Sequence, residues 1–168
     1  MEAAIATPAV PARRTAVPAP TDTAVLTLTV AGQLCGVPVL GVRDILGPQT
    51  ITPIPLAPPE VAGGLNLRGR IVTAVDLRRR LGLPPREPGA PFPMSVVVEG
   101  GGELYALQAD SVGEVLALPD ASLAPNPPTL DPLWREVCAG VHQHAAGGAE
   151  AGTRLLIMLD VERVLDIG

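Results

Sequence analysis

Residues 61–78 read VAGGLNLRGRIVTAVDLR, and this stretch decides the fold. Glycines punctuate residues 63–69, which predicts an ordered loop. Residues 71–75 have the β-branched composition of a strand. Asp76 is suited to cap a short helix over residues 77–81. The stretch therefore predicts a loop, a strand and a short helix, in that order.

The same pattern recurs later in the chain, so the second half repeats the first. The matched segments are residues 34–46 with 104–116, residues 51–55 with 123–127, and residues 71–81 with 155–165. In the last pair Asp160 takes the place of Asp76 and is predicted to cap a second short helix. Because a one-residue shift would reverse the buried face of a strand, the constant alternation indicates shared strand geometry. A repeat period of roughly 70 to 85 residues is too long for a solenoid unit and favours two related β-subdomains.

Composition places the boundaries of the folded part. Residues 1–22 are dominated by Ala, Pro and Thr without apolar periodicity, which predicts a disordered tail. We expect a folded domain over residues 23–167, with halves at residues 23–84 and 93–167 and a linker at residues 85–92. Each half carries about five short strand signals separated by Gly or Pro turns, as small barrels do.

The two halves differ most at one place. The first half has the short segment NLRG at residues 66–69, where the second half has the polar insert HQHAAGGAEAG at residues 142–152. The composition of the insert predicts a mobile surface loop. The two halves are therefore expected to engage different partners.

Composition also narrows the classes of function. The chain has 168 residues, of which 47% are hydrophobic, enough for a packed domain. A net charge of −5 and an aromatic content of 2% argue against nucleic acid as a partner. No apolar run approaches the roughly 18 to 20 residues that cross a bilayer, and the N-terminus has no apolar region of secretory length. We expect a cytoplasmic protein without direct membrane insertion.

The sequence carries no recognisable active-site motif, which predicts a protein that is not an enzyme and needs no cofactor. Nucleophile elbows, phosphate-binding loops and dinucleotide fingerprints are all missing. His142 and His144 offer two imidazoles to a metal, but the Gly/Ala-rich segment around them would have to be ordered by the metal itself, so no metal site is predicted. Cys35 and Cys138 are too few for a disulfide framework and are expected to be buried thiols.

The sequence does not settle the roles of one run of arginines and of one single arginine. Residues 78–80 form a run of three arginines, which we expect to be a solvated helix face between inward-pointing Leu77 and Leu81. Arg68 precedes a strand in a loop, where a planar guanidinium can bridge carboxylates or carbonyl groups. For Arg68, a structural tie and a contact with a partner remain equally open.

Residues 61–78 closely resemble the signature of the CheW family of chemotaxis coupling proteins, because they combine G-x-x-N-L-R-G with a hydrophobic strand and D-L-R. Further resemblance covers residues 37–45, 112–116 and 154–165, so that it spans almost all of residues 24–167. The resemblance implies an all-β fold of two SH3-like five-stranded β-barrel subdomains that share a hydrophobic core. The short helices predicted after Asp76 and Asp160 fit this fold. No catalysis is implied.

The family resemblance also implies partners. CheW-like proteins bind the regulatory domain of the CheA-type histidine kinase, itself CheW-like, and the cytoplasmic tip of methyl-accepting chemoreceptors. They thereby couple ligand sensing to kinase autophosphorylation. The receptor helix is expected in an apolar groove between the barrels. Self-association of CheW-like domains in membrane-associated receptor arrays is a further expectation.

Carried over position by position, the resemblance implies a set of receptor- or kinase-binding residues. They are Asp44, Asn66, Arg68 and Gly69 near partner-binding surfaces, with Val42, Ile71 and Val112 as weaker candidates for the lining of the groove. The sequence departs from the commonest family pattern at Thr73, where proline is frequent, and at Asp44, where glutamate is usual.

Two other functions remain open from the sequence. The chain is equally compatible with a coupling protein of a non-flagellar chemosensory pathway that governs pili, development or a second messenger. A metal- or ligand-binding β-barrel that uses His142 and His144 is the alternative from another class.

Overall fold

Each half of the chain has five strands followed by a short helix, and the second half has one further helix between its third and fourth strands. The computed structural model describes residues 22–146 and 152–167. The first half contains β1 (Asp22–Val30), β2 (Gln33–Pro38), β3 (Val42–Leu46), β4 (Val61–Leu67), β5 (Arg70–Asp76) and α1 (Leu77–Arg80). The second half contains β6 (Met94–Gly100), β7 (Glu103–Ala109), β8 (Ser111–Pro119), α2 (Pro132–Val137), β9 (Cys138–Ala146), β10 (Gly152–Leu159) and α3 (Val161–Val164). The repeated segments of the sequence thus occupy corresponding elements.

The strands form two five-stranded sheets, and each sheet takes strands from both halves. Sheet 1 has the order β8-β1-β2-β10-β9, and sheet 2 has the order β3-β6-β7-β5-β4. In each sheet an antiparallel hairpin of one half is inserted between strands of the other half. The β1–β2 hairpin lies between β8 and β10, and the β6–β7 hairpin lies between β3 and β5. The exchanged hairpins are joined to the other half on one side by parallel pairs, β2 with β10 and β7 with β5. The predicted all-β fold with two five-stranded subdomains is confirmed, but a sheet is not the product of one half.

Alternating side chains explain how the two sheets share a core. On β10, Ile157 and Leu159 belong to the central hydrophobic cluster, whereas Leu156 and Met158 belong to a smaller cluster on the other face of sheet 1. On β6 of sheet 2, Val97 likewise points away from the central cluster into a second small cluster. Successive side chains of a strand point to opposite faces, so each central strand contributes to two cores. The shared core predicted from the sequence is therefore present, and it is built almost entirely from aliphatic residues.

The two aspartates predicted to cap helices do so. The Asp76 carboxylate accepts a hydrogen bond from the backbone N–H of Arg78 at 2.9 Å, and the Asp160 carboxylate accepts one from the N–H of Arg163 at 3.3 Å. Each satisfies a backbone donor that the first turn of a helix leaves without an intrahelical partner. The short helices α1 and α3 therefore begin where the sequence predicts.

Three local predictions are wrong. Residues 63–69, expected to be a loop, are mostly strand β4, with only residues 68 and 69 outside the flanking strands. Of the predicted surface loop at residues 142–152, residues 142–146 instead continue β9 and residue 152 begins β10, and the prediction for residues 147–151 lies outside the described residues. Asp22, assigned to the disordered tail, begins β1, and the rest of that tail prediction also lies outside the described residues.

Pairing with a neighbouring strand overrides local composition in these segments. Leu156 of β10 pairs with His142 of β9, and the His142 side chain is buried. Gly63 and Gly64 lie in β4 because they pair with Ala74 and Thr73 of β5, and an isolated bridge also joins Gly64 to Thr52. A Cβ atom at Gly63 would collide with the Thr52 carbonyl oxygen, so the glycine allows close approach rather than a loop.

An ion cluster around Asp110 ties the two sheets together. The guanidinium of Arg78 on α1 binds the Asp110 carboxylate with two hydrogen bonds, from Nε at 3.0 Å and from Nη2 at 2.7 Å. Arg86 Nε lies 3.0 Å from the same carboxylate. The backbone N–H of Ala31, in the β1–β2 turn of sheet 1, donates to Asp110 Oδ2 at 2.7 Å. Asp110 thus connects that turn with α1, which follows β5 of sheet 2.

Arg80 makes a second tie and corrects the predicted role of the arginine run. Its side chain is only 5% exposed and donates to the carbonyl groups of Val164 at 3.0 Å and Arg163 at 2.9 Å. It also forms an ion pair with Glu136 at 2.9 Å. Leu77 and Leu81 are buried as expected. Of the three arginines only Arg79 resembles the predicted solvated face, because the C-terminal carbonyl groups of α3 attract the guanidinium of Arg80 inward.

Asp110 remains ionised to lower pH than a free aspartate. Burial by itself opposes ionisation, but the hydrogen bonds from Arg78 and Ala31 and the charges of Arg78 and Arg86 outweigh it, so the pKa of Asp110 lies below its ordinary value. A carboxylate with a depressed pKa stabilises the folded state above its unfolded pKa. That stabilisation is lost as the pH falls through the folded pKa.

We predict that Asp110→Asn lowers the free energy of unfolding at neutral pH by about 1 to 3 kcal/mol, because a charge-assisted pair is lost from a half-buried site. The loss should shrink as the pH falls from about 5 towards 2, where the natural carboxylate protonates. Urea unfolding across this pH range measures both effects. Glu114→Gln, at an exposed carboxylate on β8, is the control and should show no such convergence; equal stability of Asp110→Asn and the natural protein at neutral pH would contradict the prediction.

We also predict that neither half of the chain folds alone. Fragments covering residues 1–92 and 93–168 should each lack a cooperative thermal transition by circular dichroism, because each sheet needs strands from both halves. When mixed, they should regain the spectrum of the intact chain at an equimolar ratio. A single fragment with a native-like spectrum and a sharp transition would show that exchange of hairpins is not required for folding.

Candidate partner-binding surface

The N-L-R-G segment forms the tight turn between β4 and β5. Leu67 pairs with Arg70, which leaves only Arg68 and Gly69 between the strands. Both have positive φ, +51° at Arg68 and +86° at Gly69. Two central residues with positive φ define a type I′ turn, which suits the twist of a hairpin. Asn66 stabilises the turn, because its side-chain oxygen accepts a hydrogen bond from the Gly69 N–H at 2.9 Å.

Arg68 occupies a backbone conformation that glycine adopts more easily. The left-handed region costs a residue with a Cβ atom about 1 to 2 kcal/mol. Its side chain is 78% exposed, so packing of the side chain does little to offset the backbone strain. A strained residue that presents an exposed charged group is a candidate for a functional contact.

Asp44 holds the Arg68 side chain in place. Arg68 Nη2 lies 2.9 Å from Asp44 Oδ2, and Asp44 Oδ1 accepts a hydrogen bond from the N–H of Ile45 at 2.8 Å. Asp44 lies on β3 and Arg68 follows β4, and these strands are the two edges of sheet 2. The ion pair therefore links the sheet edges. Because the arginine is exposed, the pair contributes little stability and mainly orients the guanidinium.

An apolar cleft adjoins this turn. Ile71 pairs directly with Asn66 and is 74% exposed. Together with Ile54 and Leu65 it lines a cleft of about 480 Å³ bounded by the proline-rich segment 50–55. Leu56, just beyond this segment, is fully exposed. Exposed apolar groups next to an oriented arginine form a surface suited to a protein partner.

The structure brings together five of the seven residues proposed from the sequence. Asp44, Asn66, Arg68, Gly69 and Ile71 surround the β4–β5 turn.

Val42 and Val112 lie elsewhere. Both are partly buried against the central core, Val42 opposite Val98 in sheet 2 and Val112 opposite Leu28 in sheet 1. They occupy equivalent positions of the repeat. Because both pack against the central cluster that the two sheets share, they lie in the region where the sheets meet.

Sequence reasoning missed the apolar residues of the 50–56 segment. Ile54 is 42% exposed, and Leu56 has a positive φ of +62°. The signal was available, because prolines at positions 53, 55, 58 and 59 remove the backbone donors that a strand needs. An apolar residue between such prolines cannot be buried by regular sheet pairing.

His142 and the two cysteines are buried side chains. His142 Nδ1 lies 2.9 Å from the Ser122 hydroxyl oxygen, and burial lowers the pKa of His142 although Asp120 partly opposes this. Within residues 22–146 and 152–167 no three His, Cys, Asp or Glu side chains are grouped to hold a metal ion. Cys35 and Cys138 are both buried free thiols, as expected, and burial raises the pKa of each.

The helices α1, α2 and α3 are four to six residues long. In the described part of the chain, none is both long and apolar enough to cross a bilayer.

Comparison with known proteins matches most of the chain to one family. Residues 24–167 match the model of the CheW-like domain. The chain is 28% identical over 120 residues to the probable chemotaxis protein CheW of Rhizobium etli, covering 71% of this chain and 77% of that protein. It is 30% identical over 143 residues to the chemotaxis protein CheW of Klebsiella aerogenes, covering 83% of this chain and 80% of that one.

A solved structure is similar over almost the whole domain. The scaffolding protein TtCheW from Thermoanaerobacter tengcongensis superposes with a TM-score of 0.70 at 25% sequence identity. The match covers 88% of this chain and 94% of that one.

The turn geometry gives a matched stability prediction. Arg68→Gly and Arg68→Ala both remove the ion pair with Asp44, but only alanine retains a Cβ atom in the left-handed region. We expect Arg68→Gly to be more stable than Arg68→Ala by about 1 kcal/mol. Gly69→Ala should lose about 1 to 2 kcal/mol relative to the natural protein, since the space around Gly69 is open and only backbone strain opposes the methyl group. Chemical denaturation measures all three; equal stabilities would contradict the strained turn.

Proposed function

This chain belongs to the CheW-like domain family, and we propose that it acts as a non-catalytic adaptor that couples methyl-accepting chemoreceptors to a CheA-type histidine kinase. The observation that carries the proposal is the β4–β5 turn, which presents Arg68 beside an exposed apolar cleft. Relatives of the chain are called chemotaxis proteins, and the similar solved structure is called a scaffolding protein. Both descriptions support a role in binding.

The surface around the turn has the chemistry of a protein interface. Ile54, Leu56 and Ile71 offer exposed apolar area. Arg68 offers a guanidinium that can remain paired with Asp44 or turn to an acidic partner. Arginine and large apolar side chains often dominate the energy of such interfaces, whereas polar groups at the rim contribute specificity. We assign this surface to receptor or kinase binding, with Asn66 and Gly69 fixing the shape of the turn.

The region where the sheets meet is the second proposed contact. Val42 and Val112 lie at equivalent positions of the repeat and are only partly covered. An amphipathic helix from a receptor tip can place its apolar face against such a surface, as helices do in apolar grooves. Two distinct surfaces on one small domain suit an adaptor.

The proposed setting is the cytoplasmic face of a receptor array. There the adaptor would be recruited to the membrane through its receptors and not by inserting into the bilayer. Many modest contacts, including contacts between CheW-like domains, would together hold it in place, since linked binding sites raise the effective concentration of each partner.

We predict that Arg68→Ala and Arg68→Gly each weaken binding of a cognate kinase regulatory domain or receptor tip by about tenfold, the effect of losing one well-placed interface side chain. Calorimetric titration of the full chain measures the affinity for each partner separately. Arg43→Ala is the control and should leave both affinities unchanged, because Arg43 is likewise an exposed, ion-paired arginine, with Glu99 at 2.6 Å, but lies outside the β4–β5 turn.

The paired glycine and alanine variants separate binding from folding. Arg68→Gly relieves the turn, so a loss of affinity in this variant cannot be attributed to a weaker fold. Full affinity of a folded Arg68→Ala protein for both partners would remove Arg68 from the interface. No affinity of the natural chain for either partner class would contradict the adaptor role itself.

A further inference from the structure

A long cleft runs along the end of β10 and the outer side of α3. It consists of two adjoining depressions of about 380 Å³ and 740 Å³ that share Asp160 and Glu162 in their walls. The first has an apolar floor that includes Pro38, Met158 and Leu159. We call both depressions together the β10–α3 cleft. This cleft is separate from the β4–β5 turn.

The rim of the cleft is acidic. Its carboxylates are Glu99, Asp160, Glu162 and Asp166, and Arg163 is the one guanidinium in the lining. Glu99 is paired with Arg43, and Asp160 caps α3 and lies 3.5 Å from Arg163. Glu162 is exposed and forms no ion pair with any side chain in the described part of the chain. The cleft therefore offers an apolar floor beside a carboxylate available to a cation.

The second depression adds an aromatic and an aliphatic side chain. Tyr105 and Leu165 line it, next to the backbone of Gly100 and Gly101. Tyr105 is the only tyrosine of the chain. An aromatic side chain beside small backbone-exposing residues is the kind of groove in which proline-rich segments lie.

The chain enters the fold beside this cleft. Strand β1 begins at Asp22, and Val25 pairs directly with Pro38, which lines the cleft. Three residues of strand span on the order of 10 Å. The first 21 residues therefore join the fold close to the wall of the cleft.

The sequence of this N-terminal segment matches the cleft in chemistry. Residues 8–20 read PAVPARRTAVPAP. A polyproline II helix has three residues per turn, so positions 8, 11, 14, 17 and 20 would share one edge. These positions are Pro, Pro, Arg, Val and Pro, an apolar edge with one cation. Glu2 is the single acidic residue among the first 21.

We propose that residues 8–20 dock in the β10–α3 cleft of the same chain as an extended polyproline segment, with Arg14 on Glu162. Pro11, Val17 and the other apolar residues of that edge cover the cleft floor. Eight residues separate Arg14 from Asp22, a reach of about 25 Å in this conformation. Covalent connection gives the segment a millimolar effective concentration at the cleft, so weak contacts are enough to hold it.

Charge favours the chain's own segment over other occupants. The whole chain has a net charge of −5, so the surface of a second copy is on average repelled by an acidic cleft. The segment with two adjacent arginines is locally basic, and it is already attached beside the cleft. This inference does not depend on the adaptor role.

Nuclear magnetic resonance of the ¹⁵N-labelled full chain tests the proposal by charge reversal. Arg14→Glu should shift the amide signals of Gly100, Gly101, Tyr105 and Glu162. The ratio of docked to free segment should fall about fivefold, as expected for loss of an exposed ion pair and its replacement by repulsion.

Rescue and control variants make the test specific. Glu162→Lys alone should release the segment, and Arg14→Glu combined with Glu162→Lys should return the signals towards those of the natural protein. Glu114→Lys makes the same change of charge on β8 and should leave the signals of the N-terminal segment unchanged.

Two results would overturn the proposal. One is an Arg14→Glu spectrum that differs from the natural one only within the first 21 residues. The other is a shift at the cleft that disappears on about tenfold dilution, because docking within one chain does not depend on concentration whereas docking between copies does.

Discussion

The parallel pairing of β2 with β10 and of β7 with β5 is the contact on which the rest of the structure depends. These pairs insert a hairpin from each half into the sheet of the other half. Neither sheet can be completed by strands that are neighbours in sequence. Such pairings close long loops and are costly in chain entropy, so the central core must form together with them. The shared core is thus a consequence of the exchange and not an independent interface between two finished barrels.

Arg78 and Arg80 act at the same junction. Arg78 meets Asp110, which also holds the β1–β2 turn of sheet 1, and Arg80 on the same helix caps α3 of the other half. An apolar core is tolerant of sliding, whereas a bidentate guanidinium contact has a fixed geometry. These ties fix the register in which the two sheets meet. Val42 of sheet 2 and Val112 of sheet 1 pack against the central core from different sheets, so their relative placement depends on this register.

Local chemistry was enough to predict part of this molecule. The caps at Asp76 and Asp160 depend on hydrogen bonds within three residues, and the repeat is visible as alternation along single strands. The exchange of hairpins could not be predicted, because the same alternation of apolar and polar residues is compatible with a strand in either sheet. The same limit explains the error at residues 142–146, where pairing with β10 overrides the local composition. It also explains Arg80, whose carbonyl partners lie more than 80 positions away in sequence.

The candidate site shows a different relation between sequence and structure. The N-L-R-G motif indicated the candidate residues but not their geometry, since the turn type depends on the pairing of Leu67 with Arg70. Within that turn the positive φ of Arg68 is a local conflict that glycine would remove at no cost to the hairpin. An arginine at this left-handed position does not stabilise the fold, so its presence there is not explained by folding energy. Arg68 is exposed and paired with Asp44 next to Ile71. Because such conflicts concentrate at functional sites, this geometry supports the proposed contact with a partner.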